Sequence, residues 1–196
     1  MGLLEQTLAV VDFETTGLDT DKHEIIEIAV LLRYPAGNED FFSWKLHPEH
    51  IETAEPRALE INGYNPANWA NACQAADILP KVAALLEGTI WLGKNPSFDR
   101  GFLVASLKRL GWPTADKKLP YHLIDLTTLA WEHLAPCGLD RLNLVAITKF
   151  LRMPHESHTA KGDVEVTLAI YDKLLRANWF DRFRWRLLHP GRSSRS

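Results

Sequence analysis

A chain of 196 residues is long enough for one compact domain with a sizeable core and leaves little room for a second. With 46% hydrophobic and 24% charged residues, its composition is that of a folded globular protein and excludes a largely disordered one. The formal net charge of −3 excludes a general positive field, so contact with a polyanion has to be local or assisted by metal ions.

The N-terminus carries Met1-Gly2, but Gln6 stands where a myristoylation signal needs Ser or Thr. Residues 1–9 lack the basic stretch and long apolar run of a signal peptide, and no segment is long enough to span a membrane, so a cytoplasmic protein is expected. Residues 8–13 are a short Val-rich apolar run ending in Asp and Glu, which predicts a buried central strand. Glu14-Thr-Thr-Gly-Leu-Asp19 reads as a turn in which Gly17 supplies a positive φ. Residues 25–34 and 40–46 predict two further strands, the three together forming an antiparallel meander. Residues 54–61 predict a short helix closed by Asn62-Gly63. A helix over 75–86 ends at Gly88, with Pro80 marking either its start or a kink. A strand over 89–93 follows, then a helix over 98–110 stopped by Gly111 and Pro113, and a short strand over 119–124. Asp125 caps a helix to residue 134, and 142–151 and 163–175 are the last two clear helices.

Strands first, then strands alternating with helices, predict an α/β protein: a mixed sheet, antiparallel meander plus parallel strands, with helices packed on it. No repeat or linker interrupts residues 1–180, which read as one domain followed by a basic tail over 181–196. The tail holds five Arg with Phe183 and Trp185. It either touches a nucleic-acid backbone with Trp185 stacking on bases, or forms a last strand or helix whose rings pack while the Arg side chains stay solvated. The second reading is preferred on the general behaviour of charged faces. The final six residues are expected to be disordered. Cys73 and Cys137 lie in no Cys-x-x-Cys pair and have no His at zinc-ligand spacing, so both read as reduced, buried thiols.

The chemistry-bearing residues are carboxylates. Asp12 and Glu14 lie two apart on a strand, so both side chains share one face. Two carboxylates on one face of a buried strand are costly without a compensating charge, and a hard divalent cation is the natural one. Taken alone, the pair is equally a strand ending in solvent. Asp99 and Asp163 each lie near a helix start, where a lone Asp favours the helix dipole. His158 precedes Asp163 by five positions, and a lone His is more often a surface or core residue than a catalyst. The order of the set sets it apart: Asp-x-Glu on the first strand, an Asp opening a middle helix, and His-x4-Asp opening the last helix.

In that order, Val11-Asp-Phe-Glu-Thr-Thr-Gly-Leu18, Asn95-Pro-Ser-Phe-Asp-Arg-Gly-Phe-Leu103 and His158-Thr-Ala-Lys-Gly-Asp163 resemble the three motifs of the DEDDh 3′→5′ exonucleases. This family includes RNase T, oligoribonuclease and the proofreading subunits of bacterial replicative polymerases. Ile25-Ile-Glu-Ile28 and Ala58-Leu-Glu-Ile-Asn-Gly63 are similar to its connecting segments, and the likeness spans about residues 7–175. The stretch over 111–122 looks more like phage-type or stand-alone bacterial members than like a proofreading subunit. The resemblance implies an RNase H-like fold and hydrolysis of phosphodiester bonds from a free 3′ end with two Mg²⁺ or Mn²⁺ ions per site, releasing nucleoside 5′-monophosphates. It further implies that Asp12, Glu14 and Asp163 hold metal directly, that Asp99 holds the second metal through water, and that His158 is the general base. Thr15, Thr16 and Gly17 would bond the terminal 3′-hydroxyl, Leu18 would wedge beside the last base, and Phe102 would either line the base pocket or belong to the core. The implied partner is a nucleic acid with a free 3′ end, single-stranded, DNA or RNA, acted on with no attached polymerase domain.

Two rival functions are a non-catalytic nucleic-acid-binding module of the same fold and a metal phosphohydrolase of small nucleotides. A binder has no use for four carboxylates and a His. Gly88-Thr-Ile-Trp-Leu-Gly-Lys-Asn95 nearly spells a phosphate-binding P-loop, but it ends in Asn95 instead of Ser or Thr and its interior is strand-like. Pro96 excludes glycosylation at Asn95.

Overall fold

A computed structural model of the chain describes residue 2, residues 5–154 and residues 159–188. Five strands, β1 (Leu8–Thr15), β2 (Ile25–Arg33), β3 (Glu39–Lys45), β4 (Ile90–Gly93) and β5 (Leu123–Asp125), form one sheet in the order β3-β2-β1-β4-β5. The first three pair antiparallel as the expected meander, and β4 and β5 add in parallel to the other edge of β1. β1 is therefore central and covered on both faces, which is why Ala9, Val10 and Val11 are all apolar and at most 1% exposed. Alternation divides its side chains. Ala9, Val11 and Phe13 pack with helices α2 (Ala75–Leu86) and α3 (Pro96–Arg109), while Val10 packs with Val164 and Leu168 of helix α7 (Ala160–Arg176).

The remaining helices are α1 (Pro56–Ile61), α4 (Ala115–Lys118), α5 (Leu126–Leu134), α6 (Leu144–Leu151) and α8 (Trp179–Leu188). A second apolar cluster joins α5, α6, α7 and α8 beside the sheet through residues such as Leu134, Ile147, Ile170 and Trp185. The expected caps are present: Gly63, Gly88 and Gly111 adopt φ of +64°, +73° and +86°, and the Asp125 carboxylate accepts the Thr127 N–H.

Several boundaries differ from expectation. The strand expected over 119–124 shrinks to Leu123–Asp125, because Pro120 has no N–H for a ladder and the chain before it turns into α4, burying Ala115. α2 starts at Ala75, so Pro80 sits inside it and does not mark its start. α7 starts at Ala160, with Thr159 Oγ1 accepting from Gly162 N at 3.1 Å, so Asp163 lies in its first turn. Gly17 is not among the positive-φ residues. It is needed because the His23 imidazole occupies the space a Cβ would take. Both cysteines are free thiols, but Cys73 is exposed and only Cys137 is buried. The basic tail begins as a helix, and the final residues expected to be disordered lie outside the described residues. Among the described residues no helix is long and apolar enough to cross a membrane.

Candidate active site

β1 runs past the end of its neighbour. β4 pairs with it only from Leu8 to Val10, so the chain from Asp12 to Thr15 lies at the end of the parallel side of the sheet. Asp12 and Glu14 alternate with Val11 and Phe13, which turns both carboxylates to the α7 face. The Thr159-capped start of α7 sets Asp163 against them. One carboxylate oxygen from each of Asp12, Glu14 and Asp163 lies within 4.8 Å of the other two, and all three side chains are half-buried.

Asp99 reaches the same place from α3. Asn95 adopts a left-handed backbone (φ 61°), its N–H held by Asp125 Oδ1 at 3.0 Å, and Pro96 starts the helix with a preset φ. One turn on, Asp99 Oδ1 accepts the Phe13 backbone N–H at 2.9 Å. That N–H lies beyond the last β4 pairing, so the carboxylate replaces the missing strand. Asp99 is 3% exposed.

The electrostatics follow from burial and crowding. Burial raises Asp12 well above the usual carboxylate range, Asp99, Glu14 and Asp163 add to the effect, and Lys94 opposes it. Glu14 is pushed up to about 7 by burial, then by Asp163 and by Glu27, its cross-strand partner on β2. Asp99 rises to about 8 through burial, partly offset by the hydrogen bond from Phe13 and one from its own backbone. A cluster of oxygen ligands that resists ionisation is what a hard divalent cation would relieve.

These groups floor a cleft of about 1160 Å³. Lys94, Asn95 and Phe98 line it, as do Arg141, Asn143 and Lys149 from the segment running from Leu139 through α6, and Leu18 and Leu188. Leu18 is 73% exposed. Thr15 and Thr16 are buried. The Thr15 hydroxyl donates to Gly17 O at 2.7 Å and Thr16 Oγ1 accepts from Glu24 N at 2.9 Å, so both hydroxyls brace the turn. Asn62 Nδ2 adds a bond to Thr15 O at 3.0 Å.

Phe102 belongs to the core. It is 0% exposed and packs with Leu103 and Leu107, whereas Phe98, one turn earlier and 4.8 Å away between centroids, lines the cleft together with Phe13 and Phe150. His158, with residues 155–157, lies outside the described residues. Sequence reasoning missed Lys94, Phe98, Arg141 and Lys149. Lys94 flanks the second motif and Phe98 lies within it beside Asp99, so closeness in sequence to that motif was the signal that could have found them. Arg141 and Lys149 carry no such signal, since only the fold brings them across from β1.

The profile of the exonuclease family RNase_T matches residues 9–171. The PolC-type DNA polymerase III of Thermotoga petrophila is 30% identical over 166 residues, 84% of this chain and 12% of that protein. The Lactococcus lactis PolC-type enzyme is 28% identical over 166 residues, again 84% of this chain and 10% of its own length. Escherichia coli exonuclease I in complex with a dT13 oligonucleotide superposes with a TM-score of 0.75 at 20% identity, covering 95% of this chain and 44% of that one. Exonuclease I from Methylocaldum szegediense gives 0.74 at 20% identity, with 95% and 44% coverage. The chain thus spans a small part of the polymerases and under half of the exonuclease I chains. At this identity the structural likeness speaks for the fold, and the mixed five-stranded sheet with flanking helices is the RNase H-like fold of exonuclease I. With the family profile matching most of its length, the chain belongs to the RNase_T exonuclease family.

Proposed function

We propose that the protein is a metal-dependent 3′→5′ exonuclease that hydrolyses phosphodiester bonds at the 3′ end of single-stranded DNA or RNA and releases nucleoside 5′-monophosphates. The observation that carries this reading is the convergence of Asp12, Glu14 and Asp163 within 4.8 Å on the floor of an open cleft, with Asp99 bonded to the same strand end. The exonuclease I structures bound to dT13 and dA16 support a single-stranded substrate.

Asp12, Glu14 and Asp163 hold divalent cations, and Asp99 assists from α3. Cations there supply positive charge for the attacking and leaving oxygens of the phosphodiester. Lys94 adds a fixed positive charge beside Asp12 and Asp99. Phe98 offers a ring face to a base, and Leu18 stands beside the last one. Arg141 and Lys149 face phosphates across the cleft. His158, by its spacing from Asp163, accepts the proton of the attacking water.

The test uses 5′-labelled single-stranded DNA and RNA oligomers of matched sequence with Mg²⁺ or Mn²⁺. Stepwise shortening from the 3′ end, abolished by EDTA while the fold survives, is the expected result. Full activity in excess EDTA overturns the metal assignment. Phosphate release from mononucleotides with the oligomer left intact overturns the exonuclease reading.

A further inference from the structure

Helix α8 presents rings to solvent where a helix packed only by its own core would present polar groups. Trp185 alone is buried, at 7% exposed, against Leu134 and Cys137. On the opposite side Trp179, Phe180, Phe183 and Leu187 are 68%, 72%, 50% and 62% exposed. At about 100° per residue these four share one stripe, with Trp179, Phe183 and Leu187 in one i, i+4 row. The Trp179 and Phe183 rings are already stacked, 5.7 Å apart and 16° from parallel. The neighbouring row is Phe180, Arg184, Leu188, and Leu188 lines the cleft above the carboxylates. Arg186 borders the stripe on its other flank. Arg184 and Arg186 are exposed and have no ion-pair partner among the described residues, whereas Arg182 is turned aside to His133 Nδ1 at 3.1 Å.

From the stacked rings, the flanking guanidiniums and the row that ends in the cleft, we infer that the exposed face of α8 is a second binding surface for single-stranded nucleic acid. It holds the part of the strand that has not yet entered the active site. Bases stack on Trp179, Phe180 and Phe183, and phosphates pair with Arg184 and Arg186, an arrangement that tolerates any sequence. A net-negative protein that needs a polyanion gains here the local positive, aromatic track that its overall charge does not provide. The charges favour a polyanionic occupant over a second apolar face, which would leave two arginines bordering a dry interface. Trp185 packs on the core, as the preferred sequence reading of the tail has it, and anchors the helix that displays the other rings.

This inference rests on the exonuclease reading for the direction of the strand, and the experiment separates the two. Binding of labelled single-stranded oligomers of about four and about twenty nucleotides is measured in EDTA for wild type, Trp179→Ala/Phe183→Ala and Arg184→Ala/Arg186→Ala. Cleavage of both lengths is then measured with Mn²⁺. The ring variant is expected to bind the long oligomer roughly 10–100-fold more weakly, with the short one unchanged in both binding and cleavage. The arginine variant is expected to lose about 1.4 units of salt slope, roughly 0.7 for each phosphate contact on a single strand, on the long oligomer alone. Trp179→Phe, which keeps a stacking face, should retain most of the affinity and also reports on folding. Unchanged long-oligomer binding in both variants overturns the surface while leaving the exonuclease reading intact if cleavage persists. Equal loss on both lengths also overturns it. So does loss of self-association in sedimentation without loss of oligomer binding, which would make the stripe a contact between copies of the chain. Failure of wild type to cleave either length overturns the exonuclease reading, and the long-oligomer binding difference then decides the surface by itself.

Discussion

Asp99 accepts a buried N–H and also stands in a carboxylate cluster, and two substitutions separate these roles. Asn keeps an acceptor oxygen for Phe13, whereas Ala does not. At about pH 6 the wild-type carboxyl, with its pKa near 8, is largely neutral, so charge repulsion does not confuse the comparison. Asp99→Asn is expected to unfold at or above the wild-type temperature yet lose most turnover. Asp99→Ala is expected to lose turnover and about 1–3 kcal/mol of stability, because the Phe13 N–H is left unpaired. Thermal unfolding in chelator, beside an oligonucleotide assay, checks both, and equal stability of the two variants would deny the hydrogen bond its role. Asp12→Ala or Asp163→Ala should abolish turnover with little loss of metal-free stability, since each removes one of several repelling charges; a near-normal rate in either variant would mean that ligand is misassigned. His158→Ala should lower kcat on the order of 10²–10⁴-fold and change oligonucleotide affinity far less, with His155→Ala close to wild type. The reverse pattern would move the base to His155. At this scale the period-two spacing of Asp12 and Glu14 was readable, because strand geometry dictates it. The need for Gly17 was readable only as to residue type. Its cause is the ring of His23, six residues on, which no local pattern reveals.

α7 is held at both ends, and the end away from the site carries its own prediction. Arg33 at the end of β2 forks onto Asp172 with bonds of 2.6 and 2.9 Å and also donates to Glu39 at 2.9 Å. The Arg33 and Asp172 side chains are each 26% exposed, so the pair is shielded enough for a two-pronged bond to matter. Arg33→Met should cost about 1.5–3 kcal/mol in denaturant unfolding. Because Asp163 lies nine residues earlier on the same helix, oligonucleotide turnover should fall several-fold, well short of the loss in Asp163→Ala. Unchanged stability would show the pair to be incidental. Elements such as α7, with a long apolar period and a polar cap, were legible in the sequence to within a few residues. Short α1 and β4 were legible too, but α4 was not and β5 only in part. α4 and β5 are set by Pro120 and by the burial of Ala115, and α8 could not be told from a strand because only one of its rings, Trp185, faces the core. The stretch Phe183-Arg-Trp-Arg-Leu187 alternates apolar and charged residues with the period of a strand, which hides the helical period.

The whole fold explains why the site's members were nameable but their meeting was not derivable. Placing β4 beside β1 brings Asp99 onto the Phe13 N–H across 86 residues, and no spacing rule predicts that contact. Resemblance supplied the order of the motifs, and packing supplied the distances. The same convergence gives the molecule a pH-dependent stability. Glu14 rises from 4.5 to about 7, Asp99 from 3.8 to about 8, and Asp12 rises as well, mainly through burial. Each carboxyl therefore binds its proton more tightly in the folded chain than in the unfolded one. Stability from this cluster is fully present below about pH 4, where both states are protonated, and is lost as the pH climbs through 7 and 8. Metal-free protein should lose about 3 kcal/mol, or roughly 5–10 °C in Tm, between about pH 5 and pH 8.5 relative to an Asp12→Asn/Glu14→Gln variant that cannot build up the charge. The comparison with that variant cancels the titration of the groups outside the cluster. Millimolar Mn²⁺ should restore the wild type at the upper end, because a cation bound only to the folded state stabilises it by mass action, and it should do little for the variant. A wild-type curve that stays parallel to the variant's across this range, with and without Mn²⁺, would mean that the carboxylates are solvated independently and do not form a cation site.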